Sequence, residues 1–184
     1  MTTPRITIAL VLTLLSFSSL RAQEGQKVDP LSPFAALEGT WHGEGEGFGQ
    51  KSKVTHEWKR VLGGKFLRLT TRSVSLGRDG KESVHEDVGY LSWSREEKVA
   101  RFRQFVSEGF VNTFQLKAVD GKEGGFNFEP ESTEGYSKMA ARMTLRFNKE
   151  GGYEMVLELG SKGKTLKPCQ TCNVKKVVRK SATK

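Results

Sequence analysis

The chain has 184 residues, 30 Lys and Arg against 21 Asp and Glu, and a formal net charge of +9. That length suits one domain with short appendages and does not comfortably hold two. Two cysteines exclude a disulfide scaffold, three histidines leave little scope for a histidine-built metal site, and 20 aperiodic glycines with 5 prolines exclude collagen.

Residues 1–22 open with Arg5, continue through an apolar run from Ile6 to Phe17 and end in small and polar residues at Ala22. This is the order of a secretory signal, with Ala22 the last residue removed, so the expectation is an exported protein, periplasmic or secreted. The apolar run is shorter than the ~20 residues of a spanning helix, and no later segment is apolar enough to span. Arg5 and Arg21 leave with this segment. Lys175, Lys176, Arg179, Lys180 and Lys184 crowd the other end without an acid. The body between is close to neutral, so the basic charge belongs to the termini. The tail also lacks the aromatic residues that stack on bases, which argues against a nucleic-acid partner and leaves weak contact with anionic surfaces.

Residues 23–36 form a leader in which Leu31, Phe34 and Leu37 fall on one side of a possible short helical turn. From residue 37 to 178 the chain reads as one β domain, with 179–184 a basic tail. Ten strand-like segments follow one another at 40–47, 53–61, 65–75, 84–94, 98–107, 110–119, 124–132, 137–148, 152–160 and 165–178. Turn residues separate them, among them Gly63-Gly64, Arg78-Asp79-Gly80 and Glu150-Gly151-Gly152. Met139, Ala141, Met143, Leu145 and Phe147 alternate with polar residues, as do Tyr153, Met155, Leu157 and Leu159. One buried face and one wet face indicate antiparallel sheet. Sequential hairpins lose their edges by closing, so the expected fold is all-β, a single antiparallel up-and-down barrel, with a β-sandwich as the rival. Arg68, Arg72, Arg101 and Arg103 disturb the alternation. They are expected mainly on the outer face, although polar groups inside would suit a ligand cavity.

Leu37–Gly47 reads LEGTWHGEGEG and His85–Leu91 reads HEDVGYL. These stretches resemble the G-x-W-x-G-x-G-x-G opening and the H-x-E-x-G-Y-L segment of the nitrobindin-type haem-binding β-barrels, relatives of the fatty-acid-binding and lipocalin folds. Pro168–Lys176 (PCQTCNVKK) falls where that family has its closing strand, which ends in paired arginines. Val61–Leu67 and Gln104–Asn112 look more like related uncharacterised bacterial barrels. The resemblance covers residues 37–176 and implies a ten-stranded barrel, and haem as a possible cofactor with nitric oxide or peroxynitrite chemistry. It also implies an iron-binding histidine on the last strand. Cys169 stands in that position, whereas His42, His56 and His85 lie on the first, second and fourth strands. A cysteine thiolate can ligate haem, so Cys169 is the candidate axial ligand. In the wider superfamily a basic side chain of the last strand packs over the first-strand tryptophan, which here implies Lys175 or Lys176 over Trp41.

The leading expectation is a non-catalytic barrel that holds a small apolar molecule. Trp41 closes one end, and Met139, Met143, Phe147, Tyr153, Met155 and Leu157 line the interior, methionine being an adaptable apolar lining. A nitrobindin-like haem protein and a scaffold-only envelope protein are the alternatives. Cys169-Gln170-Thr171-Cys172 lies in a strand-like segment, where a disulfide would need a local turn, so bridged and free thiols both stay open. Glu44, Glu46, Glu57, His85, Glu86 and Asp87 offer acid/base partners whose separations the sequence does not set. His85 is the best single polar candidate. No P-loop, G-x-S-x-G or H-E-x-x-H occurs.

Overall fold

The structure, a computed structural model, describes residues 28–77, 79–120 and 124–178. The expected signal segment and the basic tail 179–184 lie outside the described residues. A 3-10 helix at Ser32–Leu37 precedes β1 (Gly39–Gly47), β2 (Gln50–Val61), β3 (Phe66–Leu76), β4 (Glu82–Ser94) and β5 (Val99–Val106). There follow β6 (Val111–Asp120), β7 (Gly125–Glu134), β8 (Met139–Phe147), β9 (Gly152–Ser161) and β10 (Lys167–Lys176). Each strand pairs with the next and β1 pairs with β10, which closes the barrel and excludes the sandwich. Every expected segment is a strand, and only the ends shift. No helix of the described residues is long and apolar enough to cross a membrane.

The up-and-down course puts the starts of odd strands and the ends of even strands at one end, beside the helix. That end is sealed. Leu31, Phe34 and Leu37 are each 1% exposed, and Phe34 stacks on Phe126 at 4.6 Å between centroids. Trp41 donates from Nε1 to the Leu37 carbonyl at 2.7 Å and meets Tyr153 edge-on at 4.7 Å. Lys176, rather than Lys175, lies over Trp41, with Nζ 5.1 Å from the ring centroid. Arg60 fastens the leader from outside, donating to Asp29 at 2.6 Å, Glu38 at 2.8 Å and the Leu31 carbonyl at 3.1 Å.

Two glycines permit this packing. A Cβ at Gly43 would strike the Asn173 carbonyl and lie 2.7 Å from Val174 Cα, so β1 approaches β10 here only without a side chain. At Gly89 the space belongs to the Phe102 ring, which covers the backbone of β4.

The arginines that disturbed the alternation sit on the outer face, about half exposed or less, beside acids of other strands and turns. Arg101 pairs with Glu97 and with Glu131 at 2.7 Å, Arg103 with Glu134 at 2.8 Å, and Arg72 with Glu86 at 3.4 Å. Exposed pairs of this kind contribute little each, ~0–1 kcal/mol. They let the outer face be charged of both signs.

One expected face is corrected. Met139 does not share the buried side of β8: it is 37% exposed, whereas Ala141, Met143 and Leu145 are buried. The cause is height. Met139 pairs with Ser161 in the first rung of the β8–β9 ladder, at the rim of the other end. Nearby, the β7–β8 ladder stops at Phe128 and Met143, so these strands part toward that rim. Arg142 spans the split, donating to Glu129 at 2.9 Å.

Candidate functional site

The barrel is unlike at its two ends. The half beside the helix is filled by rings, so Trp41, Phe147 and Tyr153 belong to a packed core. Phe147 touches Tyr153 and Phe126 edge-on at 6.0 and 6.2 Å. Met143 and Met155 are buried at mid-height, and Leu157 is half-buried nearer the open end. The seven expected lining residues are therefore spread over the whole height, with Met139 on the rim.

Across the middle runs a buried polar relay. Trp58 Nε1 donates to the Tyr153 hydroxyl at 3.0 Å, and that hydroxyl lies 2.6 Å from His56 Nδ1. Trp58 can only donate to the Tyr153 hydroxyl, and His56 Nδ1 is the acceptor in reach of the hydroxyl proton, so that proton goes to Nδ1. His56 then carries its own proton on Nε2, which faces Cys172 Sγ at 3.9 Å. Burial pushes the His56 imidazole down to about 4 and holds it neutral. It also pushes the Cys172 thiol up to about 12 and the Tyr153 phenol upward. Sequence alternation would place Val54, His56 and Trp58 on one face of β2. Nothing local says that Tyr153 meets them.

The open half has two kinds of wall. On β3 to β7 the inward positions are polar: Thr71, Ser73, His85, Asp87, Gln104 and Asn112. Asp87 Oδ2 accepts from Gln104 Nε2 at 3.0 Å, Gln104 Oε1 from Asn112 Nδ2 at 3.4 Å, and Asn112 Oδ1 from Thr133 Oγ1 at 3.1 Å. On the opposite wall stand Ala141, Leu157, Leu159, Met155, Cys172 and Val54, all apolar or weakly polar. Asp87 is only 5% exposed. Burial raises its carboxyl above the usual range, with His85 and Gln104 pulling the other way.

Of the expected acid/base candidates, the structure gathers His85 and Asp87 and adds Glu108. His85 Nε2 lies 3.0 Å from Asp87 Oδ1, and Nδ1 lies 3.1 Å from Glu108 Oε1. Ser107 Oγ is 3.2 Å from the same Nδ1. His42, Glu44, Glu46, Glu57 and Glu86 are exposed on the outer face and take no part. The sequence carried a signal for Gln104, which alternates with Ala100 and Phe102. It carried none for Glu108, which reaches the site from the β5–β6 turn.

Both cysteines are free. β10 runs through them without the turn a disulfide needs; Cys169 sits instead at an irregularity between Pro168 and Gln170. Its Sγ donates to the Leu157 carbonyl at 3.2 Å. Burial raises its pKa, so the group is a protonated thiol spent on a backbone acceptor, which is not the thiolate that would hold haem iron. Among the described residues β10 carries no histidine. The axial ligation implied by the family resemblance does not fit the residues present.

A groove of about 960 Å³ lies along the outside near the open end, lined among others by Glu44, Glu46, Lys51, Lys53, Val74 and Asn173. Its charges are of both signs and single out no ligand.

A family model described as "THAP4-like, heme-binding beta-barrel domain" matches residues 30–176. Among solved structures, Rv2717c from M. tuberculosis is similar over 82% of this chain and 99% of its own, with a TM-score of 0.61 at 16% identity. The S-type phycobiliprotein lyase CPES from Guillardia theta is similar over 84% of this chain and 96% of its own, with a TM-score of 0.54 at 11% identity. At such identities these likenesses concern the fold alone. No curated protein matches the chain.

Proposed function

Because the chain belongs to the THAP4-like haem-binding β-barrel family, we propose that it is a non-catalytic carrier of one small, largely apolar molecule, held in the open half of the barrel. The observation that supports this reading is the division of the inner wall. Ala141, Leu157 and Leu159 offer an apolar side, while Asp87, Gln104 and Asn112 offer hydrogen bonds on the facing side. Binding sites of small molecules have this character, mostly apolar with a few placed polar groups that orient the ligand. The split between β7 and β8, with Met139 at its rim and Arg142 bonded to Glu129 across it, is where this reading places the ligand's entry. The packed half beside the helix has no part in binding; it is the floor.

Haem is the second reading, favoured by the description of the family model. It requires an iron ligand other than the bonded Cys169 thiol, or a rearrangement of β10 that frees it. The chain is also proposed to be exported, which the order Arg5, Ile6–Phe17, Ala22 supports. Its terminal lysines and arginines then meet anionic surfaces, and nucleic acid is not a partner.

Native mass spectrometry of the purified chain, with extraction into organic solvent, tests the first reading. One apolar molecule per chain is expected, displaced by anilinonaphthalene sulfonate and lost on Leu157→Asp. A chain that carries nothing and takes up no such probe refutes it. Titration with haemin tests the second: a sharp Soret band would replace the first reading with haem, and its loss in Cys169→Ala would make the freed thiol the ligand.

A further inference from the structure

We infer that His85, Asp87 and Glu108 form a site for a divalent first-row transition metal at the open mouth of the barrel. His85 Nε2 and Asp87 Oδ1 are 3.0 Å apart, yet Oδ1 is a buried oxygen that accepts no aligned hydrogen bond. Proximity without alignment is what a shared cation produces. Metal–ligand bonds of ~2.1 Å at right angles put two ligand atoms ~3.0 Å apart.

A second buried oxygen points the same way. Ser73 is 7% exposed and stands directly opposite His85 in the β3–β4 ladder, on the same inward face. Its Oγ has no hydrogen-bond partner. Buried polar atoms are almost always satisfied, and here two of them, on inward positions of the adjacent strands β3 and β4, are not. Glu108 completes the set. Its carboxylate comes from the exposed β5–β6 turn and lies 3.1 Å from Nδ1, the ring nitrogen away from Asp87, so it has to move round the ring to share an ion at Nε2; one ligand atom from each of His85, Asp87 and Glu108 already falls within 4.8 Å of the others.

The donor set decides the class of ion. An imidazole nitrogen suits zinc, cobalt, nickel and copper, whereas calcium and magnesium prefer oxygen alone. Two carboxylates neutralise the double charge and disfavour soft monovalent copper. The free thiols are not involved: Cys172 is buried against His56, and Cys169 faces the Leu157 carbonyl. Rigidity differs among the ligands. Asp87 is fixed by Gln104 at 3.0 Å, and His85 is a strand residue, while Glu108 lies in a turn and can swing in when the ion arrives. The site shares Asp87 with the polar wall of the carrier reading but nothing of its apolar side, since neither Leu157 nor Leu159 contributes to it.

The test is titration of the untagged, metal-stripped full chain with Co²⁺, read by visible absorption, and with Zn²⁺, read by calorimetry. One ion per chain is expected. Asp87→Asn, which keeps the size and the bond from Gln104, and His85→Gln should each weaken binding at least about tenfold. Glu108→Gln, in an exposed turn where folding is not at stake, should weaken it less but measurably. Cys169→Ser should leave it unchanged. Saturation below one ion per chain, binding indifferent to Asp87→Asn and Glu108→Gln, or binding lost with Cys169→Ser would overturn the site. So would a chain that binds no metal.

Discussion

His56 should make the protein acid-labile, by an amount its burial sets. Its imidazole is held down to about 4 in the folded chain against 6.5 for the free side chain. Above pH ~6.5 both folded and unfolded states are neutral at this position and the group adds no pH dependence. As the pH falls below 6.5 the unfolded chain takes the proton while the folded one cannot, so stability drops, and the loss is complete near pH 4. Each unit of separation is worth ~1.4 kcal/mol, which makes the total about 3 kcal/mol. The measurement is urea unfolding followed by tryptophan fluorescence at intervals from about pH 7.5 to about pH 4. Trp58 and Trp41 both touch Tyr153, so emission reports this part of the core directly. The reference is His56→Gln, which still offers an acceptor to the Tyr153 hydroxyl but does not titrate. The variant is expected to be less stable near neutrality, with the difference from the parent shrinking by about 3 kcal/mol as the pH falls to 4. A difference that stays constant across this range would refute the assignment of His56 as a buried neutral imidazole. A difference that grows would reverse the sign of the argument.

Other substitutions probe other parts of the barrel. Tyr153→Phe strands both the Trp58 N–H and His56 Nδ1 and should cost about 2–4 kcal/mol in chemical denaturation; a loss below ~1 kcal/mol would show that water replaces the hydroxyl. Gly43→Ala drives a methyl into the β10 backbone and should destabilise by about 2–3 kcal/mol, seen as faster amide exchange along the β1–β10 ladder. Asp87→Asn should stabilise the metal-free chain at neutral pH, because burial disfavours its carboxylate. That gain should fade as the pH drops toward 3.8, the ordinary value at which the unfolded carboxyl protonates too. Lys176→Met removes a charge 5.1 Å from the Trp41 ring and should lower the melting temperature only slightly, for a loss of about 0.5–1 kcal/mol.

The parts of the molecule that were legible in the sequence depend on neighbours along the chain. Turn residues such as Gly63-Gly64 and the alternation of Met143, Leu145 and Phe147 mark strands because a hairpin is decided within a few residues. Trp41 at the sealed end follows from the opening motif, and a lysine over it from the superfamily resemblance. Met139 was misplaced because alternation reports which face a side chain takes and not how high on the barrel it stands. The relay of His56 to Tyr153 was invisible for another reason. Ninety-seven residues separate the pair, and only closure of β1 on β10 brings β2 and β9 near enough for those side chains to meet. Glu108 is a turn residue in sequence, and its place at the mouth comes from the path of β5 into β6.

Stability and binding divide along the barrel axis, and the buried polar atoms show where. In the half beside the helix the inward-facing polar groups are satisfied, Trp41 by Leu37, Trp58 and His56 by Tyr153, and the unpartnered Arg68 Nε and Asn127 Oδ1 belong to outward positions. At the mouth Ser73 Oγ and Asp87 Oδ1 are left without partners although both residues are nearly sealed from water. An orphaned buried oxygen destabilises a fold by about 1–3 kcal/mol, and replacing either group with an apolar residue would relieve it. A sequence that keeps both on adjacent strands, beside an imidazole and a mobile carboxylate, carries a cost that the packed floor does not need for folding. A ligand that supplies positive charge to those oxygens removes that cost on binding. The mouth, and not the ring-filled end where the sequence pattern is most regular, is where this barrel holds unspent interaction energy.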